Sequence, residues 1–221
     1  MKTSGLIFDM DGTMIDSMPF HAKSWGEFTQ RHGIAMEVDE VLRRTTGRNG
    51  VECMRELFGR ELPDAKARAL VDEKETIYRD LFAPVFAEVR GFRLFARKAH
   101  EQGLKVAVGT AGDRHNIEFA FSRLKMEPPP DAVVGGDEGL PGKPQPAIFL
   151  QVARRLGLPP GECVVFEDAP LGIEAAARAG MRAVAICSTH TAAELSGRHV
   201  VAQGRDYEEL MKTKFLESLH A

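Results

Sequence analysis

The chain has 221 residues, long for one simple domain and short for two, so a single core carrying an insertion is expected. Hydrophobic residues make up 43% and charged residues 28%, which supplies a core and excludes a mainly disordered chain. Its 29 basic and 32 acidic side chains give a net charge of −3, leaving no basic excess for a nucleic-acid backbone.

The first element is Gly5-Leu6-Ile7-Phe8, a short run apolar on both faces, as in a strand covered by two helical layers. Residues 16–86 then break with that pattern and read as helices over Pro19 to His32, Val38 to Arg44, Gly50 to Phe58 and Asp64 to Phe82. In the last of these, Ala67, Leu70, Val71, Lys74, Ile77, Tyr78 and Leu81 fall on one face. Strand-like runs return at Lys105 to Val108, Ala132 to Val134, Cys163 to Phe166 and Arg182 to Ile186. Helices are expected between them at Arg114 to Lys125, Pro146 to Leu156 and Leu171 to Ala179, the last two closed by Gly157 and Gly180. Alternating strands and helices predict an α/β fold, a parallel sheet between two helical layers. The expected division is a core of residues 1–15 and 87–221 and an all-helical insertion, 16–86, lying as a lid over the end of the first strand.

Three cysteines, Cys53, Cys163 and Cys187, are far apart and lack C-x-x-C spacing, which argues against a disulfide framework or a zinc site. The apolar run Leu6 to Phe8 is cut off by Asp9, too short for a signal peptide. No stretch approaches the roughly 18 apolar residues that suggest a membrane span. A soluble, cytoplasmic protein with no membrane or nucleic-acid partner, and a monomer, is expected.

In open parallel sheets ligands sit beyond the C-terminal strand ends. The first strand is followed by Asp9-Met10-Asp11-Gly12-Thr13, the second by Gly109-Thr110-Ala111-Gly112 and the fourth by Glu167-Asp168, while Gly142-Lys143-Pro144 precedes a helix. The topology therefore gathers four acids, one hydroxyl and one lysine on one edge. Clustered carboxylates require a cation, and hard oxygens select Mg²⁺. Lys143 and Thr110 can neutralise and orient a phosphoryl group, which makes attack by a carboxylate on phosphorus feasible. Asp9, nearest the strand, suits the nucleophile, and Asp11 suits the proton transfers. Each residue alone has an ordinary use as a cap, turn former or solvated charge. Only their joint position carries the reading.

These segments stand in the order of the four motifs of the haloacid dehalogenase-like phosphotransferases, which the chain resembles over nearly its whole length. Phe166-Glu167-Asp168-Ala169-Pro170-Leu171-Gly172-Ile173 resembles the fourth motif of the β-phosphoglucomutase-like subfamily, and the insertion resembles its cap. The resemblance implies a Rossmann-like three-layer core with a helical cap. It implies Asp9 as nucleophile and Mg²⁺ ligand, and Asp11 as acid/base with its carbonyl on the metal. Asp168 is implied as a metal ligand, Glu167 in or near the metal shell, and Thr110 and Lys143 on the phosphate. Ala111 and Gly112 are expected at the substrate.

The subfamily holds phosphatases and sugar phosphomutases. His21 matches its cap histidine, and Lys74, four before Tyr78, matches a cap lysine; both suit a mutase. The mutase cap loop Gly-x-Ser-Arg is replaced by Gly47-Arg48-Asn49-Gly50, and Gly109 to Arg114 resembles the phosphatases. A phosphatase is preferred, with a mutase as the alternative. An idle phosphate-binding scaffold is opposed by the intact Asp9, Asp11, Lys143 and Asp168. His21, Arg48 and Lys74 are expected to contact a small phosphorylated metabolite, a sugar phosphate.

Overall fold

The apolar runs of the sequence become one parallel sheet in a computed structural model that describes residues 2–219. Its strands are β1 (Gly5–Phe8), β2 (Lys105–Gly109), β3 (Ala132–Val134), β4 (Cys163–Glu167), β5 (Arg182–Ile186) and β6 (Val200–Gly204), in the order β3-β2-β1-β4-β5-β6. The sequence reading lacks β6. That strand pairs only with β5 at the sheet edge and alternates between half-buried and exposed, so it has no run apolar on both faces.

Around the sheet lie α5 (Phe92–Glu101), α6 (Arg114–Leu124), α7 (Ala147–Leu156), α8 (Pro170–Arg178), α9 (Tyr207–Lys212) and α10 (Phe215–Ser218). Successive strand residues point to opposite faces. Leu6, Phe8, Val106, Val108, Val164 and Phe166 meet α5, α6, α9 and α10. Ile7, Ala107, Val165, Ala183 and Ala185 meet α7 and α8. Helices on both faces make three layers. Phe8 stacks on Phe166 with centroids 4.5 Å apart and meets Phe92 edge-on at 5.3 Å. Burial of each ring contributes about 1.5–3 kcal/mol. Phe8 and Phe166 directly precede Asp9 and Glu167, so this packing also anchors the two acids.

Between β1 and β2 stand α1 (Met18–Arg31), α2 (Val38–Thr45), α3 (Gly50–Phe58) and α4 (Asp64–Phe82), with no strand among them. They share an apolar cluster of their own that includes Trp25, Phe28, Val41, Met54, Leu70 and Ile77. The two chain connections to the core run side by side: Ile15 and Glu88 form an antiparallel bridge, and the Asp16 N–H donates to the Ala87 carbonyl at 3.0 Å. At this end Tyr78 and Phe82 of α4 leave the cap cluster and pack with the core, beside Phe119 of α6. Among the described residues no helix is long and apolar enough to cross a membrane.

Candidate active site

Strand register creates the site. Phe8 of β1 lies opposite Val108 of β2 and Phe166 of β4, so the residues that follow leave the sheet together. The Asp9 N–H still donates to the Phe166 carbonyl at 3.0 Å, which ties the first acid to the sheet. The chain then turns at Gly12, whose φ of +74° is costly for any side-chain-bearing residue.

Three buried carboxylates, from Asp9, Glu167 and Asp168, present oxygens within 4.8 Å of one another. A single ammonium stands among them: Lys143 Nζ is 2.5 Å from Asp9 Oδ1 and 2.5 Å from Glu167 Oε1. Burial alone would lower the Lys143 pKa, but the two carboxylates outweigh it and hold it above the ordinary lysine value. Asp9 is pushed well above the usual carboxylate range by burial, with Lys143 opposing and Glu167 and Asp168 adding to the rise. Burial and Glu167 push Asp168 up to about 7.

The three acids differ in what they have left to offer. Glu167 Oε1 is taken by Lys143, and Oε2 accepts the backbone N–H groups of Asp168 and Ala169 at 3.0 Å each. A Cβ on Gly172 would lie 1.8 Å from Oε1, so the first turn of α8 needs glycine to admit this carboxylate. Asp9 Oδ2 has no hydrogen-bond partner among the described residues. Asp168 is steadied from a third loop: Thr189, after β5, donates to its Oδ2 at 2.5 Å, and Ser188 donates to the Gly12 carbonyl at 2.5 Å. Three buried carboxylates against one ammonium leave an excess of negative charge, and all donors are hard oxygens. This set fits Mg²⁺, which Asp9 and Asp168 could hold through their carboxylates, with Glu167 acting through Lys143.

Asp11 faces away from this triad, toward the cap. Its Oδ1 accepts from Ser17 Oγ at 2.7 Å, lies 3.1 Å from His21 Nε2 and accepts from the Tyr78 hydroxyl at 3.4 Å. Burial raises its pKa, but His21, Ser17 and Lys74 outweigh that and the net shift is downward. His21 stacks on Tyr78 with ring centroids 3.8 Å apart. Thr110, buried at the end of β2, accepts the Gly112 N–H on its hydroxyl at 3.0 Å and keeps its own proton for another acceptor.

These groups open into a crevice of about 870 Å³ between core and cap. From the core it is lined by Asp9, Asp11, Thr110, Ala111, Gly112, Lys143, Glu167 and Asp168. From the cap come His21, Arg48 and Lys74. The cap residues sit differently from one another. Arg48 is exposed, 3.5 Å from Glu56. Lys74 is only 2% exposed, and its ammonium is directed to His21 Nδ1 at 2.7 Å and Glu75 Oε1 at 3.0 Å rather than to open space. Core and cap also touch through the backbone, where the Lys143 N–H donates to the Gly47 carbonyl at 3.0 Å.

The sequence reading missed Ser17, Glu75, Asn116, Ser188 and Thr189. Ser17 lies six residues beyond Asp11, at the start of α1, a signal legible from cap position. The others had no motif; the loop after β5 was an available place to look, since every other inner strand ends in a site residue.

A sequence model described as haloacid dehalogenase-like hydrolase matches residues 3–180. The chain is 34% identical over 184 residues to a fructose-1-phosphate phosphatase of Escherichia coli, covering 83% of this chain and 96% of that one. It is 31% identical over 188 residues to hexitol phosphatase A of the same organism, covering 84% of each. Among solved structures, a β-phosphoglucomutase from Clostridium difficile superposes with a TM-score of 0.83 at 20% identity, covering 99% of this chain and 97% of the other. That likeness is one of fold.

Proposed function

The chain belongs to the haloacid dehalogenase-like hydrolase family as a phosphatase, and we propose that it hydrolyses a small sugar phosphate through a covalent phosphate ester on Asp9. The observation that carries this reading is the Asp9–Lys143 pair. One carboxylate oxygen is neutralised at 2.5 Å, the other lacks a hydrogen-bond partner among the described residues, and Asp9 borders the crevice. The two phosphatases at 34% and 31% identity, named for sugar and hexitol phosphates, support the substrate class.

Asp9 Oδ2 attacks phosphorus as the bond to the sugar oxygen breaks, and Asp11 gives that oxygen its proton. A bound phosphate dianion raises the proton affinity of Asp11, countering the lowering by His21 and Ser17. In the second step Asp11, again a carboxylate, takes a proton from water. The water oxygen bonds to phosphorus and the bond to Asp9 breaks. Lys143 and the Thr110 hydroxyl stabilise the charge that builds on the phosphoryl oxygens. Asp9 and Asp168 would hold Mg²⁺, which would supply further charge neutralisation at the phosphoryl group. The crevice volume, about 870 Å³, suits a small metabolite enclosed by the cap.

The test is a panel of sugar phosphates scored for released phosphate, with and without Mg²⁺, in the parent and Asp9→Asn. The amide keeps the shape but is not a nucleophile, so turnover should vanish while the thermal midpoint persists. Asp9→Asn activity within about tenfold of the parent would refute the covalent route. Isomerisation of a hexose 1-phosphate without phosphate release would replace the phosphatase by a mutase.

A further inference from the structure

Helix α4 carries a buried polar row that the proposed chemistry does not use directly. Glu75 Oε1 accepts from Lys74 at 3.0 Å, and its Oε2 accepts from Asn116 Nδ2 at 2.8 Å. Asn116 belongs to the first turn of core helix α6, where its own N–H is held by the capping Asp113 at 2.9 Å. The other end of its amide, Oδ1, accepts from Arg79 Nη1 at 2.8 Å. One core side chain, 2% exposed, is therefore clamped between two residues four apart on a cap helix.

The polarity of this row is fixed throughout. Arg79 and Lys74 can only donate, and the Glu75 carboxylate only accepts. The Asn116 amide must then point its oxygen at Arg79 and its nitrogen at Glu75. Lys74 donates to His21 Nδ1, so that nitrogen carries no proton. His21 therefore holds its proton on Nε2, 3.1 Å from Asp11 Oδ1, and donates it there. The cap-borne row Glu75, Lys74, His21 touches the core at both ends, at Asn116 and at Asp11.

We propose that Glu75 and Asn116 are positioning residues: their hydrogen bond registers the closed cap on the core and directs Lys74 and His21 so that the imidazole N–H meets Asp11. The inference rests on the reading of Asp11 as the proton carrier. Neither residue touches the reacting atoms. Their effect reaches the reaction through the orientation and protonation of Asp11, so in kcat/KM, which extends only to the transfer onto Asp9, it belongs to a leaving group that needs a proton.

The fixed polarity supplies the test. In Glu75→Gln the new amide nitrogen faces either Lys74 or the Asn116 nitrogen, both donors. In Asn116→Asp two carboxylates face each other. The exchanged pair, Glu75→Gln with Asn116→Asp, restores a donor and an acceptor at every contact and keeps the net charge. Each single variant should lower kcat/KM for the best sugar phosphate by about tenfold or more, and the exchanged pair should recover to within about threefold of the parent. For an activated aryl phosphate, kcat/KM should stay within about threefold in all variants, because that leaving group departs without a proton. Losses that multiply in the exchanged pair, parental activity in both singles, or equal losses on both esters would overturn the proposal. If Asn116→Asp alone fails to fold, Glu75→Ala and Asn116→Ala replace the pair. A joint loss no larger than the greater single loss supports coupling, and multiplied losses refute it. A parent active only on the aryl ester would sink the sugar-phosphate reading by itself. The same cycle is then read in kcat, which includes the step where Asp11 takes a proton from water.

Discussion

A Cβ on Gly12 would lie 2.1 Å from Asp168 Oδ2, well inside van der Waals contact. The close approach lets the turn after β1 press against the carboxylate that follows β4, and the φ of +74° at Gly12 adds a second reason for glycine. Gly12→Ala should therefore displace Asp168. The expected outcome is a stability loss of more than about 1 kcal/mol in urea unfolding and loss of the Mg²⁺-induced rise in thermal midpoint. A parental Mg²⁺ response in Gly12→Ala would show that the turn does not shape the ion site.

Lys143 is the ammonium that balances Asp9 and Glu167 at 2.5 Å each. Lys143→Met leaves two buried carboxylates without it, at a cost of about 3–5 kcal/mol. A divalent cation answers the same excess of charge, so Mg²⁺ should raise the thermal midpoint of Lys143→Met by more than it raises that of the parent. An equal or smaller rise would argue that the acids and the ion do not share one site.

Arg48 and Lys74, paired in the sequence reading as substrate contacts, should separate on mutation. Arg48 is exposed, and among the described residues its guanidinium has one ion-pair contact, to Glu56 at 3.5 Å. Arg48→Ala should change stability by less than about 0.5 kcal/mol. Any role it has is then at the substrate, lowering kcat/KM for a sugar phosphate by about tenfold with little change for an aryl phosphate. Lys74→Met removes a buried donor from Glu75 and His21 and should cost about 1–3 kcal/mol of stability as well. Comparable stability losses in both would contradict the burial difference.

Burial pushes the Cys53 thiol up to about 12, well above the ordinary thiol value of 9.0. A thiol whose folded pKa is raised lends stability below the unfolded pKa and loses it as pH climbs toward the folded one. Between pH ~9 and ~12 the unfolded state has released this proton and the folded state has not. The parent should thus lose about 1.4 kcal/mol per pH unit more than Cys53→Ala over that window, read from urea midpoints. Parallel pH profiles would place Cys53 in contact with water. Its buried thiol should likewise resist alkylation at pH 8 that modifies the half-buried Cys187.

The sequence alone determined strands β1 to β5, the helical insertion and the acids, because both signals are local. A buried strand must be apolar on both faces, and a residue following it must emerge at the sheet edge. Leu6 to Phe8 and Cys163 to Phe166 carry that pattern in their own composition, and Asp9, Glu167 and Asp168 follow from it. Strand β6 lay outside the signal because its alternate residues Val201 and Gln203 are exposed, whereas edge strand β3 exposes none of its residues. Only the tertiary structure decided the division of labour among the charged groups. The sequence offered four acids near one another; the fold turned Asp11 toward His21, left it out of the triad and occupied both oxygens of Glu167. It also buried Lys74 in the cap face where periodicity had placed it, and joined Glu75 to Asn116 across 41 residues of chain. Those outcomes depend on where side chains from separate elements meet, and the energy of a buried charge is set by neighbours that no stretch of sequence brings adjacent.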